Sequence, residues 1–300
     1  MTISKDQNSN ELISLLAAQR HFYSKAKTAH GFRFFGALLW LALSPCIVYF
    51  LPHLKTSIAI ASCLIFLFSE FIFEPFERYC INTASLIQEE FDVKLFGIPW
   101  NQVLAGSRIS TEITDSAARA FGPKLQVFSN WYDAPEDLPK SLQILICQRA
   151  NLVWDSRVRS HFGYVLYFWA LLIAFIGLAI SFSLSLSLSD YLLVFLIPSL
   201  SPIVGSYRWG LRHFDVALEK TGIENRFLQI WKKALENQGN NIEADCRTIQ
   251  DSIFQLRRKK ALVPDWFYRL LHPDFQQSMV SAATALAQEA RSMLLPPHSS

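Results

Sequence analysis

Glu70, Glu74 and Glu77 fall at the three-and-four spacing that lines side chains along one face of a helix. Grouped carboxylates of this kind can hold a divalent cation or serve as an acid and base. No histidine accompanies them in sequence, and the seven histidines of the chain are scattered without ligand spacing. A metal is therefore not expected, and solvated carboxylates at a membrane edge are the plainer reading. A second set, Lys55, Ser62 and Ser69, repeats every seven residues with Glu70 beside it. On one helix these residues present a polar face, either the lining of a pore or the small-residue surface that packs helices in lipid. A third set is cationic and aromatic. Arg149, Asn151, Asp155, Arg157 and Arg159 share one stretch, and the run Arg257, Arg258, Lys259 and Lys260 leads into Pro264, Asp265, Trp266, Phe267 and Tyr268. Guanidinium forks match phosphates and aromatic faces stack on bases. Arg149, Asn151, Asp155, Arg157, Arg257, Arg258, Trp266 and Tyr268 are thus candidate contacts for an anionic ligand. The competing reading is a positive flank and a lipid-headgroup face.

Catalysis has no such starting point. The chain contains no G-x-S-x-G elbow, H-E-x-x-H pair, P-loop or G-x-G-x-x-G turn. No catalytic residue is named and an enzyme is not expected. The five cysteines, Cys46, Cys63, Cys80, Cys147 and Cys246, stand apart without the pairing of a zinc knuckle or a disulfide framework. A net charge of +3 gives no broad field for a nucleic-acid polymer.

Hydrophobicity sets the helices on which these residues sit. Of the 300 residues 51% are hydrophobic, 24 are Phe and 8 are Trp, and the mean hydropathy is +0.20. That excess suggests lipid. Four apolar runs carry it: 34 to about 51, about 56 to 73, 162 to about 182, and 191 to about 206. Each approaches the roughly 17 to 25 residues that a helix needs to cross hydrocarbon. Pro52, His53, Leu54 and Lys55 join the first two into a hairpin. The other two are joined through a Ser/Leu alternation, 181 to 189, that reads as a frayed helix end or loop rather than a lone strand with an unpaired backbone. Pro45, Pro198 and Pro202 are expected to kink or locally unwind their helices. The polar, helical start of the chain does not resemble a cleavable signal, so the first run is expected to stay as an anchor.

Orientation follows from the basic flanks. Lys25, Lys27 and Arg33 precede the first run, Arg157 and Arg159 precede the third, and Arg208 and Arg212 follow the fourth. Of the 28 Lys and Arg, Lys55 alone would then face away from the cytoplasm. The expected order is a cytoplasmic amphipathic helix (1–33), a transmembrane hairpin (34–73), a cytoplasmic helical region (74–161), a second hairpin (162–206) and a cytoplasmic helical C-terminal region (207–300). Leu12, Leu15, Leu16, Phe22 and Ala26 form the apolar stripe of the first helix, and Cys80, Ala84, Ile87, Phe91 and Leu95 that of the middle region. Gly97 to Pro99 stops the latter helix, 130–139 is a loop, and helix resumes by Leu142. Cys246, Ile249, Ile253 and Leu256 form a further stripe. The fold class is an all-α integral membrane protein, with four transmembrane helices in two hairpins and a helical cytoplasmic body.

Leu15 to Arg20 with Tyr23-Ser24 and Ala26-Lys27, Ile87-Gln88-Glu89 with Phe91-Asp92, and the turn Pro99-Trp100-Asn101 form a series of motifs. Cys147-Gln148-Arg149 with Asn151 and Trp154-Asp155, Ile249-Gln250-Asp251 with Ile253-Phe254, and Pro264 to Tyr268 complete it. The series resembles the SMODS-associated four-transmembrane effectors over most of the chain, with the same number and order of spans. The resemblance implies a pore-forming effector of bacterial antiphage signalling, in the inner (cell) membrane with both termini cytoplasmic. It further implies a cyclic oligonucleotide ligand, made by a nucleotidyltransferase, and no other cofactor. Because the spans are too apolar to enclose water in one copy, a pore requires a homo-oligomer embedded in membrane lipid. Two other readings stay open: a membrane-anchored sensor or scaffold whose spans only tether the body, and a lipid-modifying enzyme with a metal on Glu70, Glu74 or Glu77.

Overall fold

The computed structural model describes residues 2–123, 125–153, 156–259, 262–264, 267 and 283–294, with backbone alone at 153 and 156–158. Among these there is no strand. The helices are α1 (Ile3–Asp6), α2 (Asn10–Phe50), α3 (Lys55–Phe68), α4 (Glu74–Phe96), α5 (Gln102–Ala105) and α6 (Thr111–Phe121), then α7 (Lys140–Val153), α8 (Ser156–Ser183), α9 (Leu188–Asp190), α10 (Ile197–Glu236) and α11 (Glu243–Arg258). Short 3₁₀ turns lie at Pro52–Leu54 and Leu125–Phe128. Two segments, Ser69–Phe73 and Tyr191–Leu196, widen to π-helix. Such bulges recur at functional sites.

The punctuation has local causes. Gly97, at φ +70°, ends α4 where a side chain would be strained. The Ser/Leu alternation is partly helix and partly loop: α8 runs to Ser183, Ser185 turns at φ 49°, and the Ser187 hydroxyl caps α9 by accepting from the Asp190 amide at 3.1 Å. Helix continues through Pro45 and Pro202.

The chain forms two compact units. One comprises Lys25–Cys80 and Arg159–Asp215, and the other Met1–Ser24, Ile81–Val158 and Val216–Ser300. The first contains the apolar stretches of the four helices that are long and apolar enough to cross a membrane. Its surface is greasy throughout, with Phe71 and Leu171 each 72% exposed. Water tolerates contiguous apolar surface of that kind poorly, so these faces require lipid. α8 and α10 seat glycines against rings: a Cβ on Gly163 would lie 2.9 Å from Phe214, one on Gly210 would lie 2.7 Å from Tyr167, and one on Gly177 would overlap Phe195. The glycines of α2 differ, since a Cβ on Gly31 or Gly36 meets nothing within 4 Å. The second unit has an ordinary core, with Leu16, Ile87, Phe91, Leu142, Leu145, Phe227 and Ile249 fully buried and α11 packed on α7.

Candidate functional site

Charge in the span unit gathers where the apolar runs meet their polar flanks. Arg33 of α2 donates from Nη2 to Glu70 at 3.0 Å, from Nη1 to Glu74 at 2.5 Å and to Glu77 at 3.1 Å, and from Nε to the Ser69 hydroxyl at 3.1 Å. From α10, Arg208 donates to Glu70 and Arg212 to Glu74. Arg78 reaches Glu74 at 3.2 Å, and His30 Nδ1 lies 3.1 Å from Glu77. The helical spacing of the glutamates puts all three toward Arg33 of α2, and Glu70 and Glu74 also toward Arg208 and Arg212 of α10, so α2, α4 and α10 are tied by one charge cluster. Hydrogen bonds between ionised groups are the stronger kind, and a desolvated edge strengthens them further. Among the described residues no three His, Cys, Asp or Glu side chains are placed to hold a metal ion.

The body carries a second, sealed network. Asp92, fully buried, accepts from Tyr132 Oη at 2.7 Å, Gln250 at 2.9 Å and Arg257 at 2.6 Å. Glu89 accepts from Arg247 at 2.6 Å and from Gln250 at 2.8 Å. Gln148 donates to Gln250 at 3.2 Å and to the Cys246 carbonyl at 2.8 Å, and Asn151 donates to Tyr132 Oη at 2.8 Å. Burial, then the Asp92 carboxylate, pushes the Tyr132 phenol well above its usual range and keeps it a donor. Burial opposes charge on Arg257, but Asp92 together with Tyr132, Tyr23 and Glu89 outweighs it and holds the guanidinium above its ordinary value. Burial also raises the Cys246 thiol to about 12, so that cysteine is chemically inert.

The structure thus places the sequence candidates as follows. It brings Asn151 and Arg257 together, 3.2 Å apart, inside the body network. Arg149 pairs with Glu224 at 3.0 Å and lies over the Phe227 ring at 5.2 Å, while its Nε and Nη1 have no hydrogen-bond partner among the described residues. Arg258 is exposed beside Phe254. Asp155, Trp266, Tyr268 and the Arg157 side chain lie outside the described residues. Of the polar face on the second span, Ser69 and Glu70 join the charge cluster. Ser62 accepts from Trp40 Nε1 at 2.8 Å and donates to the Ile58 carbonyl at 2.7 Å, and Lys55 pairs with Asp190 at 2.9 Å. Sequence reasoning took Arg33, Arg208 and Arg212 only as flanks and missed them as partners of the glutamates. It also missed Glu89, Asp92, Tyr132 and Gln250 as one network, although a glutamine within the apolar stripe of α11 signals a buried polar contact.

A family model described as the SMODS-associating 4TM effector domain matches residues 1–286. A curated relative from Bacillus cereus (strain VD146), named a probable CBASS effector molecule, is 29% identical over 299 residues, covering 95% of this chain and 98% of its own length. No solved structure matches. With four apolar helices in two hairpins, no strand among the described residues and a family match over nearly its whole length, the chain belongs to the SMODS-associating four-transmembrane effectors and is a multi-pass membrane protein.

Proposed function

We propose that this chain is a CBASS effector that permeabilises the bacterial inner membrane as a homo-oligomer when its body binds a cyclic oligonucleotide from a nucleotidyltransferase. The observation that carries the reading is the charge cluster. Glutamates on α4 and its π-helical lead-in are held by arginines from α2 and α10, so the spans are tied at one end by contacts that can exchange partners. Released from those arginines, Glu70, Glu74 and Glu77 would present carboxylates at a membrane opening. Lys55, Ser62 and Ser69 are likewise engaged within the chain in the resting state and would become available for a pore only after the hairpins rearrange. The basic flanks favour cytoplasmic termini, with the Lys55 and Asp190 tips outside. No catalytic step is required.

A ligand can drive the change only through a difference in affinity between two states of the body. Its candidate contacts remain Arg149, Asn151, Asp155, Arg157, Arg257, Arg258, Trp266 and Tyr268, of which Arg149 has guanidinium N–H groups to spare. The test is dye release from liposomes holding the purified protein, with and without a panel of cyclic oligonucleotides. Release with one of them is expected. No release with any, while the same ligand binds, would favour a tethered sensor and end the permeabilising reading.

A further inference from the structure

Between α2 and α3 runs an open groove of about 750 Å³ whose lining is almost entirely apolar, including Gly36, Leu39, Trp40, Leu43, Leu64 and Phe68. From Arg33 to Leu43 it follows ten residues of helix, about 15 Å at 1.5 Å per residue. That is half of the roughly 30 Å of bilayer hydrocarbon, the depth of one leaflet. The glycines of the span unit differ in what lies beside them: Phe214, Tyr167 and Phe195 fill the space beside Gly163, Gly210 and Gly177, whereas beside Gly36 in the groove and Gly205 in the cavity there is nothing within 4 Å.

At its charged end the groove shares Arg33, Ala37, Ser69 and Ser201 with a second cavity of about 50 Å³. Arg208, Trp209 and Arg212 also line that cavity. Its carboxylates are already occupied: Glu70 by Arg33 and Arg208, and Glu74 by Arg33, Arg78 and Arg212. Its donors are not. Trp209 is 7% exposed, and its indole N–H has no acceptor among the described residues. Arg208 and Arg212 each spend one terminal nitrogen on a glutamate, and their side chains remain 51% and 37% exposed. A cavity with donors in surplus accepts an oxyanion, and a leaflet-deep apolar groove running from it accepts an acyl chain. The cavity lies where the apolar runs give way to basic flanks, the level at which headgroup phosphates sit.

From this we infer that the span unit binds one glycerophospholipid with an anionic headgroup, its phosphate at Arg208, Arg212 and Trp209 and one acyl chain in the groove over Gly36. A zwitterionic headgroup would set its own cation against the two arginines and bind less well. The site is a property of the resting fold and stands whether or not the chain opens the membrane.

Trp40 in the groove reports on it. The full-length protein is placed in nanodiscs containing phosphatidylglycerol or phosphatidylcholine brominated on the acyl chains, and quenching of Trp40 is taken as the difference from the Trp40→Phe variant. Quenching should be greater with phosphatidylglycerol. Arg208→Gln with Arg212→Gln should abolish that difference, and Gly36→Leu, whose Cβ meets nothing within 4 Å and whose side chain enters the groove, should lower quenching by both lipids. Equal Trp40 quenching by the two lipids, with arginines and glycine unaltered, would mean a general lipid annulus and overturn the proposal, whether or not the arginine and glycine variants fold. Loss of the preference on adding inorganic phosphate, with acyl quenching unchanged, would mean a phosphate site alone and overturn it equally.

Discussion

In the body, Asp92 is fully buried and its oxygens are taken by Tyr132, Gln250 and Arg257, whereas in the span unit Arg208 and Arg212 remain 51% and 37% exposed while they pair with Glu70 and Glu74. Burial makes the first arrangement all-or-none. The Asp92 carboxylate has been stripped of water, and only its full pairing repays the loss. The second has redundancy, because Glu74 has three arginines and Glu70 has two, so one contact can be exchanged for another without stranding a charge. The difference separates a network suited to fixing one body structure from one suited to changing partners.

The comparison is tested hardest at Arg257. Arg257→Ala leaves Asp92 charged and buried, and breaking a buried pair in this way costs about 3–5 kcal/mol. A large loss of thermal stability in detergent is expected, with partial recovery when Asp92→Asn is added. If Arg257→Ala unfolds no more easily than the parent, the network is not sealed as described. Arg33→Gln should cost less, about 1.5–3 kcal/mol for the charged hydrogen bonds removed, because Arg208, Arg212 and Arg78 still hold Glu70 and Glu74 and His30 still lies 3.1 Å from Glu77. It should also raise dye leakage from liposomes without ligand. Stability loss with no change in leakage would detach the cluster from the proposed gating.

A smaller effect separates the hairpins. Gly177→Ala drives a methyl into Phe195, an overpacking costing about 1–3 kcal/mol, while Gly36→Ala enters open space and gains the roughly 0.5–1 kcal/mol by which alanine exceeds glycine in a helix. Thermal unfolding of the two variants should therefore shift in opposite directions. Shifts of the same sign would mean that α2 is as closely packed as α8.

Much of this fold was legible because its signals are local. Four apolar runs and their basic flanks mark the spans, and Gly97 marks the end of a helix. The clusters are not local. Arg208 meets Glu70 across 138 residues, and Arg257 meets Asp92 across 165. Neither pairing has a period, and an arginine at a span end looks the same whether it faces phosphate or a carboxylate. Gln88, Glu89, Asp92, Gln148, Asn151 and Gln250 did stand out, but only as motif residues of the family resemblance. Sequence alone gave no way to see that the partners were one another.

The smallest effect is expected at the opposite end of the bundle. Lys55 and Asp190, 43% and 35% exposed, pair at 2.9 Å across the two hairpin tips, and Ser187 holds the aspartate from its own cap. Water screens an exposed pair of this kind and side-chain entropy opposes it. Asp190 nevertheless sits below the usual carboxylate range, first through the Lys55 hydrogen bond and then through Ser187. A carboxylate lowered in the fold adds stability above its unfolded value and loses it as pH falls through the folded one, so any contribution belongs to neutral pH and fades on acidification. Lys55→Ala should accordingly leave thermal stability at neutral pH nearly unchanged, in contrast to Arg33→Gln. A loss as large as that of Arg33→Gln would show that the tips, and not the charge cluster alone, hold the hairpins together, and would move the proposed point of release to the other side of the membrane.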